Sequence, residues 1–318
     1  MRILRHYDGV PEDVRGGAVV LGNFDGVHRG HQEVIGGAVA DAAVRGLPLA
    51  VVTFEPHPRS FFAPDQPPFR LTPFRSKAMH LAALKVDTLV VLAFNEHMSQ
   101  VGAEDFVQNV LIDGVGARHV TIGYDFRFGN GRRGDVDLLK SMAADGGFAV
   151  NVIEPVASAD GEIYSSTRIR DYLAAGKPGH AAALLGRPFE IDGRVEQGDQ
   201  RGRTIGFPTA NLVLGEYQRP AYGVYAVRAG VGDGEATEWY DGVANLGTRP
   251  TVDGTRLLLE SHLFDFDGDI YGQHLRVAMI EFIRPERKFD SFDALKAQIA
   301  EDSASAGRIL RTRAAGAS

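Results

Sequence analysis

The sequence predicts two domains, an α/β domain with a parallel sheet followed by an antiparallel β-barrel that ends in one helix. The chain has 318 residues, more than an average single domain contains. In its first half, short β-branched runs alternate with helical patterns, whereas strand-like runs follow one another without helices after Leu185. We therefore place the domain boundary near Leu185–Arg187, with domains at residues 1–185 and 186–318.

The first half is expected to form a parallel sheet with helices on both faces. The expected strands are Ala18–Leu21, Leu49–Phe54, Thr88–Phe94, Arg118–Ile122 and Phe148–Ile153. The expected helices are His31–Arg45, Ser76–Leu84, Ala103–Ile112, Val136–Ala144 and Thr167–Ala174. Strands that alternate with helices are typical of parallel sheets, whose ligands bind at the carboxyl ends of the strands.

The second half is expected to form an antiparallel barrel or sandwich. The expected strands are Phe189–Glu196, Tyr222–Arg228, Glu238–Ala244, Leu257–Phe264 and Leu275–Ile283. A terminal helix is expected near Phe292–Ala300 with Ser291 as its N-cap, because apolar residues recur there at helical spacing. The small, polar tail Arg311–Ser318 is expected to be frayed.

The composition excludes several classes of function. The chain contains no cysteine, which rules out disulfides, cysteine-ligated zinc and thiol nucleophiles. Its net charge of -7 argues against a nucleic-acid partner. No apolar run reaches the roughly 18 residues of a membrane helix, and the N-terminus does not resemble a signal peptide. We expect a cytoplasmic protein without membrane or nucleic-acid partners, and the sequence leaves self-association open.

The strongest local signal is the segment Gly22–His31, which lies where the first strand ends and the first helix begins. Its glycines allow the backbone to approach an anion, and a helix N-terminus presents free N–H groups to it. His28 and His31 can both donate to a phosphate in the transition state. A lone His-x-x-His is more often a turn with two surface histidines. Zinc is disfavoured, because no third ligand stands at a standard spacing.

A second motif favours a functional site over a surface turn. His28-Arg29-Gly30-His31 resembles the His-x-Gly-His signature of nucleotidylyltransferases, and Ser165–Arg170 resembles their SSTxxR motif, with Tyr164 in place of the preceding isoleucine. The resemblance implies a Rossmann-like nucleotidylyltransferase domain with His28 and His31 as catalytic residues. The implied ATP-binding residues are Gly22, Phe24, Asp25, Gly26, Gly30, Ser165, Ser166, Thr167, Arg168 and Arg170.

Two loops narrow the family further. Thr53–Pro58 and Gly123–Gly129 follow expected strands and resemble the flavin-facing loops of prokaryotic FAD synthetases, with aromatic rings able to stack on an isoalloxazine. The implied flavin-binding residues are Pro56, His57, Pro58, Phe62, Asp125 and Phe128. The pattern Gly129-x-Gly131-x-x-Gly134 begins too far after its strand for a dinucleotide fingerprint, so we interpret it as a basic loop over the nucleotide or flavin.

A third site is expected in the barrel. Thr209 and Asn211 stand two residues apart, so in an extended segment both could face one hard cation, although composition alone favours a surface turn. Pro208-Thr209-Ala210-Asn211 resembles the PTAN signature of riboflavin kinases, which implies a Mg²⁺-ATP site. The residues assigned to that site are Gly202, Arg203, Gly206, Pro208, Thr209 and Asn211, with arginine at 203 where many relatives have lysine.

The resemblance continues through Gly242–Thr251, Glu260–Phe266, Asp269–Gly272 and Arg284–Phe289, and with the N-terminal motifs covers nearly the whole chain. The chain is thus identified as similar to prokaryotic bifunctional riboflavin kinase/FAD synthetases. This implies that ATP and Mg²⁺ convert riboflavin to FMN in the barrel, and that ATP converts FMN to FAD in the α/β domain. Glu260 matches the catalytic base of the kinases. A carboxylate suits this role, because an alcohol must lose its proton to attack phosphate.

Three alternatives were weighed against this interpretation. A different adenylyl- or cytidylyltransferase with an unrelated barrel would lack the PTAN loop and Glu260. An enzyme with one active domain and one scaffold domain would not keep both motif sets intact. A flavin-binding regulator without catalysis would keep the aromatic loops and lose His28, His31 or Glu260, all of which are present.

Overall fold

The computed structural model describes residues 1–158, 161–197, 207–232, 234–251 and 254–315. The chain forms two compact units. The first contains Met1–Pro67 and Thr72–Ser165, and the second contains Pro68–Leu71 and Ser166–Ser318. The predicted fold class is confirmed, since the first unit carries a parallel sheet and the second an antiparallel barrel.

The first unit is built on six parallel strands in the order β1-β4-β3-β2-β5-β6. Their bounds are β1 Arg2–Leu4, β2 Ala18–Leu21, β3 Leu49–Glu55, β4 Thr88–Ala93, β5 His119–Gly123 and β6 Ala149–Ile153. Sequence patterns did not reveal the short edge strand β1. The strand order reverses direction between β2 and β5, and such a switch point opens a crevice at the carboxyl ends of the strands.

Helices cover both faces of this sheet. They are α1 Arg29–Arg45, α2 Pro58–Phe62, α3 Phe74–Ala83, α4 Glu96–Gln100, α5 Ala103–Phe106 and α6 Val136–Gly146, with a π-helical turn Val107–Gly114 continuing α5. Successive residues of β2 enter different cores: Val19 packs with Phe106 in one, and Val20 packs with Ile35 in the other. Burial on both faces explains why β2 is uniformly apolar.

In the second unit, α7 Ser166–Ala174 and α8 Pro178–Leu185 precede the barrel. The barrel strands are β7 Phe189–Arg194, β8 Ala210–Val213, β9 Gly223–Val231, β10 Glu238–Thr251, β11 Gly254–Leu263 and β12 His274–Pro285, in the order β7-β12-β9-β10-β11-β8. A bridge between Glu196 and Asn211 joins the two ends of this order and brings the barrel close to closure. Leu212, Leu246 and Leu259 are fully buried and in register, so they fill its interior.

Two helical predictions were incomplete. Helix α8 is absent from the expected helices, and Pro178 opens it at the first helical position, where its missing N–H costs nothing. The last helix, α9, spans Phe292–Ala315 and is therefore longer than the expected helix, which ended near Ala300. Ala306 and Leu310 are fully buried against Val224 and Val243, and the helix continues through residues 311–315 of the tail that was expected to be frayed. Residues 316–318 of that tail lie outside the described residues. Its expected N-cap is confirmed, since Ala294 N donates to Ser291 Oγ at 3.1 Å.

One short segment changes unit along the chain. Pro68–Leu71 lies between elements of the first unit in sequence but belongs to the second. Arg70 N donates to the Glu216 carbonyl at 3.1 Å, and Gln218 N donates to the Arg70 carbonyl at 2.7 Å. The segment therefore pairs with residues 216–218 in the manner of a short parallel strand.

Candidate active sites

The loop after β2 is held in an unusual backbone conformation. Phe24, Gly26 and Val27 have φ values of 50°, 90° and 42°. The Phe24 and Val27 side chains are buried, which anchors positive φ angles that such residues rarely adopt. Asp25 Oδ1 accepts from Thr72 N at 3.0 Å, and Gly26 N donates to Thr72 Oγ1 at 2.8 Å. Asp25, predicted to bind ATP, thus shapes the loop.

His28 and His31 are brought together at the N-terminus of α1. Their rings stack with centroids 3.6 Å apart and planes inclined by 17°. His28 caps the helix, because its Nδ1 accepts from His31 N at 3.3 Å. In a neutral His28 the ring proton therefore lies on Nε2. A Cβ at Gly30 would come within 3.2 Å of His28 Cε1, so only glycine leaves this ring undisturbed.

The SSTxxR motif spans the junction of the two units, with Ser165 ending the first and Ser166 opening α7 in the second. Within the second unit, the Arg170 guanidinium lies over the Phe69 ring at 5.3 Å, and its Nε donates to the Phe69 carbonyl at 2.8 Å. Arg168 lies over the Tyr172 ring at 5.3 Å. Binding of ATP by Ser165, Ser166, Thr167 and both arginines stays a prediction.

An aromatic cavity of about 500 Å³ lies within the first unit at the carboxyl ends of β3, β4 and β5. Four predicted flavin residues line it, namely His57, Pro58, Phe62 and Phe128. Pro56 and Asp125 are not among its lining residues, and Asp125 is exposed. Residues that sequence reasoning did not select also line it: Asn23, Phe54, Phe94, Met98, Phe106 and Phe126.

Phe94 is central to this cavity. Its ring lies 5.4 Å from that of Phe61, 5.6 Å from that of Phe62 and 5.7 Å from that of Phe54, all edge to face. Its position at the end of the expected third strand was the available signal. The guanidinium side chains of Arg59, Arg127 and Arg132 add positive charge to the lining, which agrees with the expected basic loop.

In the barrel, three polar residues stand side by side. Glu260 of β11 is in register with Asn211 of β8 on one side and with Asn245 of β10 on the other. Directly opposite residues of antiparallel strands share a face, so these side chains form one row. Leu259 is buried in the interior, so the row faces outward. The expected extended conformation at Asn211 thus places it next to Glu260.

The neighbouring cavity of about 530 Å³ lies at the barrel mouth. Pro208 and Thr209 line it, together with Ser261 and the loop from Phe266 to Tyr271. Asn211 and Glu260 are not among its lining residues. Gly202, Arg203 and Gly206 lie outside the described residues, so their roles stay predictions.

Glu260 is paired with a cation that the sequence did not single out. Its carboxylate accepts from Arg249 Nη2, while Arg249 Nη1 lies 3.9 Å from Glu286 Oε1. Burial lowers the pKa of the Arg249 guanidinium, but the hydrogen bond and charge of Glu260 and the charge of Glu286 outweigh it and raise that pKa. Arg249 therefore stays charged beside the candidate base.

Two family models match the chain, one described as FAD synthetase over residues 10–168 and one as riboflavin kinase over residues 185–310. The bifunctional riboflavin kinase/FMN adenylyltransferase of Escherichia coli strain K12 is 42% identical, with 96% of this chain and 97% of that protein covered. The protein of the same description from Haemophilus influenzae is 41% identical, with 95% and 97% covered. The chain belongs to the bifunctional riboflavin kinase/FMN adenylyltransferase family. The predicted family is confirmed, and with it the pairing of an FAD synthetase domain with a riboflavin kinase domain.

A solved structure from Streptococcus pneumoniae, described as a macrolide-efflux protein, shares the fold of this family member. It is 33% identical, covers 95% of this chain and 97% of its own, and superposes with a TM-score of 0.82. Efflux is a description of that protein alone. Within the part of this chain that the structure describes, no helix has the length and apolar character needed to cross a membrane.

The donor set of the barrel fits a magnesium ion. Asn211 is only 9% exposed, and its Oδ1 is buried without a hydrogen-bond partner among the described residues. Nor do the described residues contain a cluster of three acidic or histidine side chains that could hold a metal. Mg²⁺ takes oxygen ligands, keeps several waters and binds substrate phosphates, so the oxygens of Thr209 and Asn211 could complete its ligand shell when a nucleotide is bound.

A buried lysine connects two ligand loops of the FAD synthetase unit. Lys77 is fully buried, and its Nζ lies 2.8 Å from Glu55 Oε1 and 3.4 Å from Thr53 Oγ1. Thr53 Oγ1 donates in turn to the Asn23 carbonyl at 3.3 Å. The end of β3 is thereby tied to the loop that carries His28. Sequence reasoning missed Lys77, because a helical lysine is normally exposed.

We expect Lys77→Met to lower the free energy of unfolding of the first unit by about 3–5 kcal/mol, because the mostly buried Glu55 carboxylate would lose the cation that pairs with it. Chemical denaturation followed by circular dichroism measures this. Trp239, the single tryptophan, lies in the second unit and reports that unit separately. Adding Glu55→Gln should recover much of the loss, and an undiminished stability of Lys77→Met would contradict the expectation.

Proposed function

We propose that the two family activities use the two sites described above, with riboflavin phosphorylated in the barrel and FMN adenylylated at the α1 site. The observation that carries this proposal is that each unit holds a cavity and a set of reactive side chains of its own. The α1 site offers a stacked histidine pair and a helix N-terminus. The barrel offers a carboxylate next to a buried amide oxygen that has no hydrogen-bond partner within the described part of the chain.

In the kinase reaction, Glu260 acts as general base toward the 5′-hydroxyl of riboflavin. The hydroxyl becomes nucleophilic toward the γ-phosphate only as its proton leaves, and a positioned carboxylate supplies the acceptor. ATP occupies the cavity lined by Pro208 and Thr209, and Asn211 lies next to Glu260 in the row. Mg²⁺, held by Thr209 and Asn211, would neutralise charge on the nucleotide phosphates.

In the adenylyl transfer, the phosphate of FMN attacks the α-phosphate of ATP. This nucleophile is already ionised at neutral pH, so the site has to position and neutralise charge rather than remove a proton. His28 and His31 present ring N–H groups, and the first turn of α1, residues 29–32, holds no acidic residue that would repel the nucleotide.

The flavin of FMN occupies the aromatic cavity. Phe62 is 67% exposed at its edge, so its ring is available to stack on an isoalloxazine. Arg59, Arg127 and Arg132 attract the phosphate-bearing flavin electrostatically. Pro56 and Asp125 shape the adjoining loops in this proposal.

The magnesium assignment makes a testable prediction about Asn211. We expect Asn211→Leu to raise the KM for MgATP in the kinase reaction about 10–100-fold, because a charge-bearing contact is lost. The same change should raise the free energy of unfolding by about 1 kcal/mol, because it removes a buried oxygen that accepts no hydrogen bond from any residue the structure describes. Kinase assays across Mg²⁺ concentrations and denaturant unfolding measure the two effects. Unaltered MgATP dependence would contradict the role of Asn211.

The overall proposal is tested by incubating the protein with riboflavin, ATP and Mg²⁺ and separating the products by chromatography. FMN should appear first and FAD should follow, and the absence of both would refute the proposal.

We propose further that the functional boundary falls at residues 185 and 186, and that the protein acts in the cytoplasm on small-molecule substrates.

A further inference from the structure

Arg249 stands between two carboxylates on the outer face of the barrel. It pairs with Glu260, the proposed base, and lies 3.9 Å from Glu286. Glu286 Oε1 also accepts from Asn245 Nδ2 at 3.2 Å. One guanidinium is therefore shared by two carboxylates, and only one of these has a second donor from Asn245.

The proposed reaction changes this balance of charge. When Glu260 takes the hydroxyl proton it becomes neutral, and its ion pair with Arg249 is lost. The guanidinium then keeps its longer contact with Glu286 and a hydrogen bond of 3.4 Å from Nη1 to the Thr248 carbonyl. A planar guanidinium presents several donors in a fixed fork that matches phosphate oxygens. At that moment a phosphate has just been attached to the oxygen that gave up its proton to Glu260.

We propose that Arg249 exchanges partners during phosphoryl transfer, from the Glu260 carboxylate to the new 5′-phosphate of FMN. The flavin 5′-O–H bond breaks and its proton goes to Glu260. The bond from that oxygen to the γ-phosphorus forms, and the bond to the bridging oxygen breaks with its electron pair remaining on ADP. Arg249 thus orients the base before transfer and binds the product phosphate after it. This proposal rests on the assignment of Glu260 as base.

Binding measurements on the full-length protein separate this exchange from catalysis. Glu260→Gln resembles the protonated base in shape and charge, so it should leave Arg249 available from the start. We expect the FMN affinity measured with MgADP to increase about tenfold in Glu260→Gln, and riboflavin affinity to stay unchanged. In the double variant Glu260→Gln/Arg249→Met the gain should disappear.

Flavin fluorescence titrations of the wild type, both single variants and the double variant give these affinities. FMN binding in the first unit is common to all four proteins, so differences between them report the barrel. Arg256→Met is the matched control, because Arg256 stands opposite Arg249 in register and pairs with Glu196 instead. It should leave FMN affinity unchanged.

Equal FMN affinity in the wild type and Glu260→Gln would overturn the exchange, as would a gain that survives Arg249→Met. If Arg249→Met lost riboflavin affinity together with FMN affinity, Arg249 would only maintain the structure of the site, and this result would also overturn the exchange. If Arg249→Met folds poorly, Arg249→Lys replaces it, because lysine keeps the charge but lacks the planar guanidinium. The double variant Glu260→Gln/Arg249→Lys should show a smaller gain in FMN affinity than Glu260→Gln alone. Kinase activity retained by Glu260→Gln would instead refute the assigned base, a separate result.

Discussion

Glu260→Gln is expected to slow the formation of FMN from riboflavin about 10²–10⁴-fold while FAD formation from added FMN continues at the wild-type rate. The amide keeps the shape of the side chain and its place in the row with Asn211 and Asn245, but it does not accept the hydroxyl proton. The loss should appear in kcat more than in the riboflavin KM, because base catalysis acts only in the transition state.

Glu190→Gln provides a control for Glu260. Glu190 is another barrel carboxylate paired with an arginine, its Oε2 lying 2.7 Å from Arg276 Nη2. Its change should leave both rates unaltered. Separate assays of FMN from riboflavin and of FAD from supplied FMN distinguish the outcomes. Loss of both activities in Glu260→Gln would contradict a two-site enzyme, and an intact kinase rate would exclude Glu260 as base.

His28→Asn is expected to lower FAD formation from FMN about 10²–10³-fold and leave FMN formation intact. The imidazole donor at the α1 site is removed, but asparagine is a strong N-cap residue and can still accept from the first turn. The effect therefore reports chemistry rather than an unravelled helix. Undiminished FAD synthesis in His28→Asn would refute a role for this ring in adenylyl transfer.

His28→Ala tests the structural contribution of the same residue. It removes the cap as well as the ring, so its free energy of unfolding should fall about 1 kcal/mol below that of His28→Asn. If both variants lose FAD synthesis equally while only His28→Ala loses stability, the capping and catalytic roles of His28 are separated. Equal stabilities of the two variants would show that a side-chain acceptor at the N-cap position contributes little to the stability of α1.

Periodic apolar patterns and local motifs predicted much of this molecule. The central strands of the sheet are buried on both faces and therefore read as continuous apolar runs. His28, His31 and Glu260 stand in motifs whose spacing is local in the chain. The π-helical turn after Phe106 and the edge strand β1 left no comparable signal, because they are short and their positions depend on tertiary packing.

The residues that sequence reasoning missed owe their roles to contacts between distant segments. Arg249 reaches Glu260 only because β10 and β11 pair in one register, and Lys77 reaches Glu55 only because α3 packs beneath the end of β3. Arg249 lies in the segment Gly242–Thr251 that carries the family resemblance, but the segment alone gave it no role, and Lys77 lies in no motif. No periodicity encodes a cross-strand or helix-to-sheet ion pair. Phe94 differs from these two residues, because the sequence pattern already placed it at the end of an expected strand, where ligands bind in parallel sheets.

Because Pro68–Leu71 belongs to the second unit, the two units of this enzyme cannot be separated by a single cut in the chain without loss of contacts. A chain that began at Ser166 would contain every barrel strand yet leave behind the four residues that pair with 216–218. The Gln218 N–H would lose its acceptor and the Glu216 carbonyl its donor, and buried Arg70 would be absent from its place. A gene cut between the two halves would therefore deliver a kinase unit that lacks one of the segments with which its own backbone pairs.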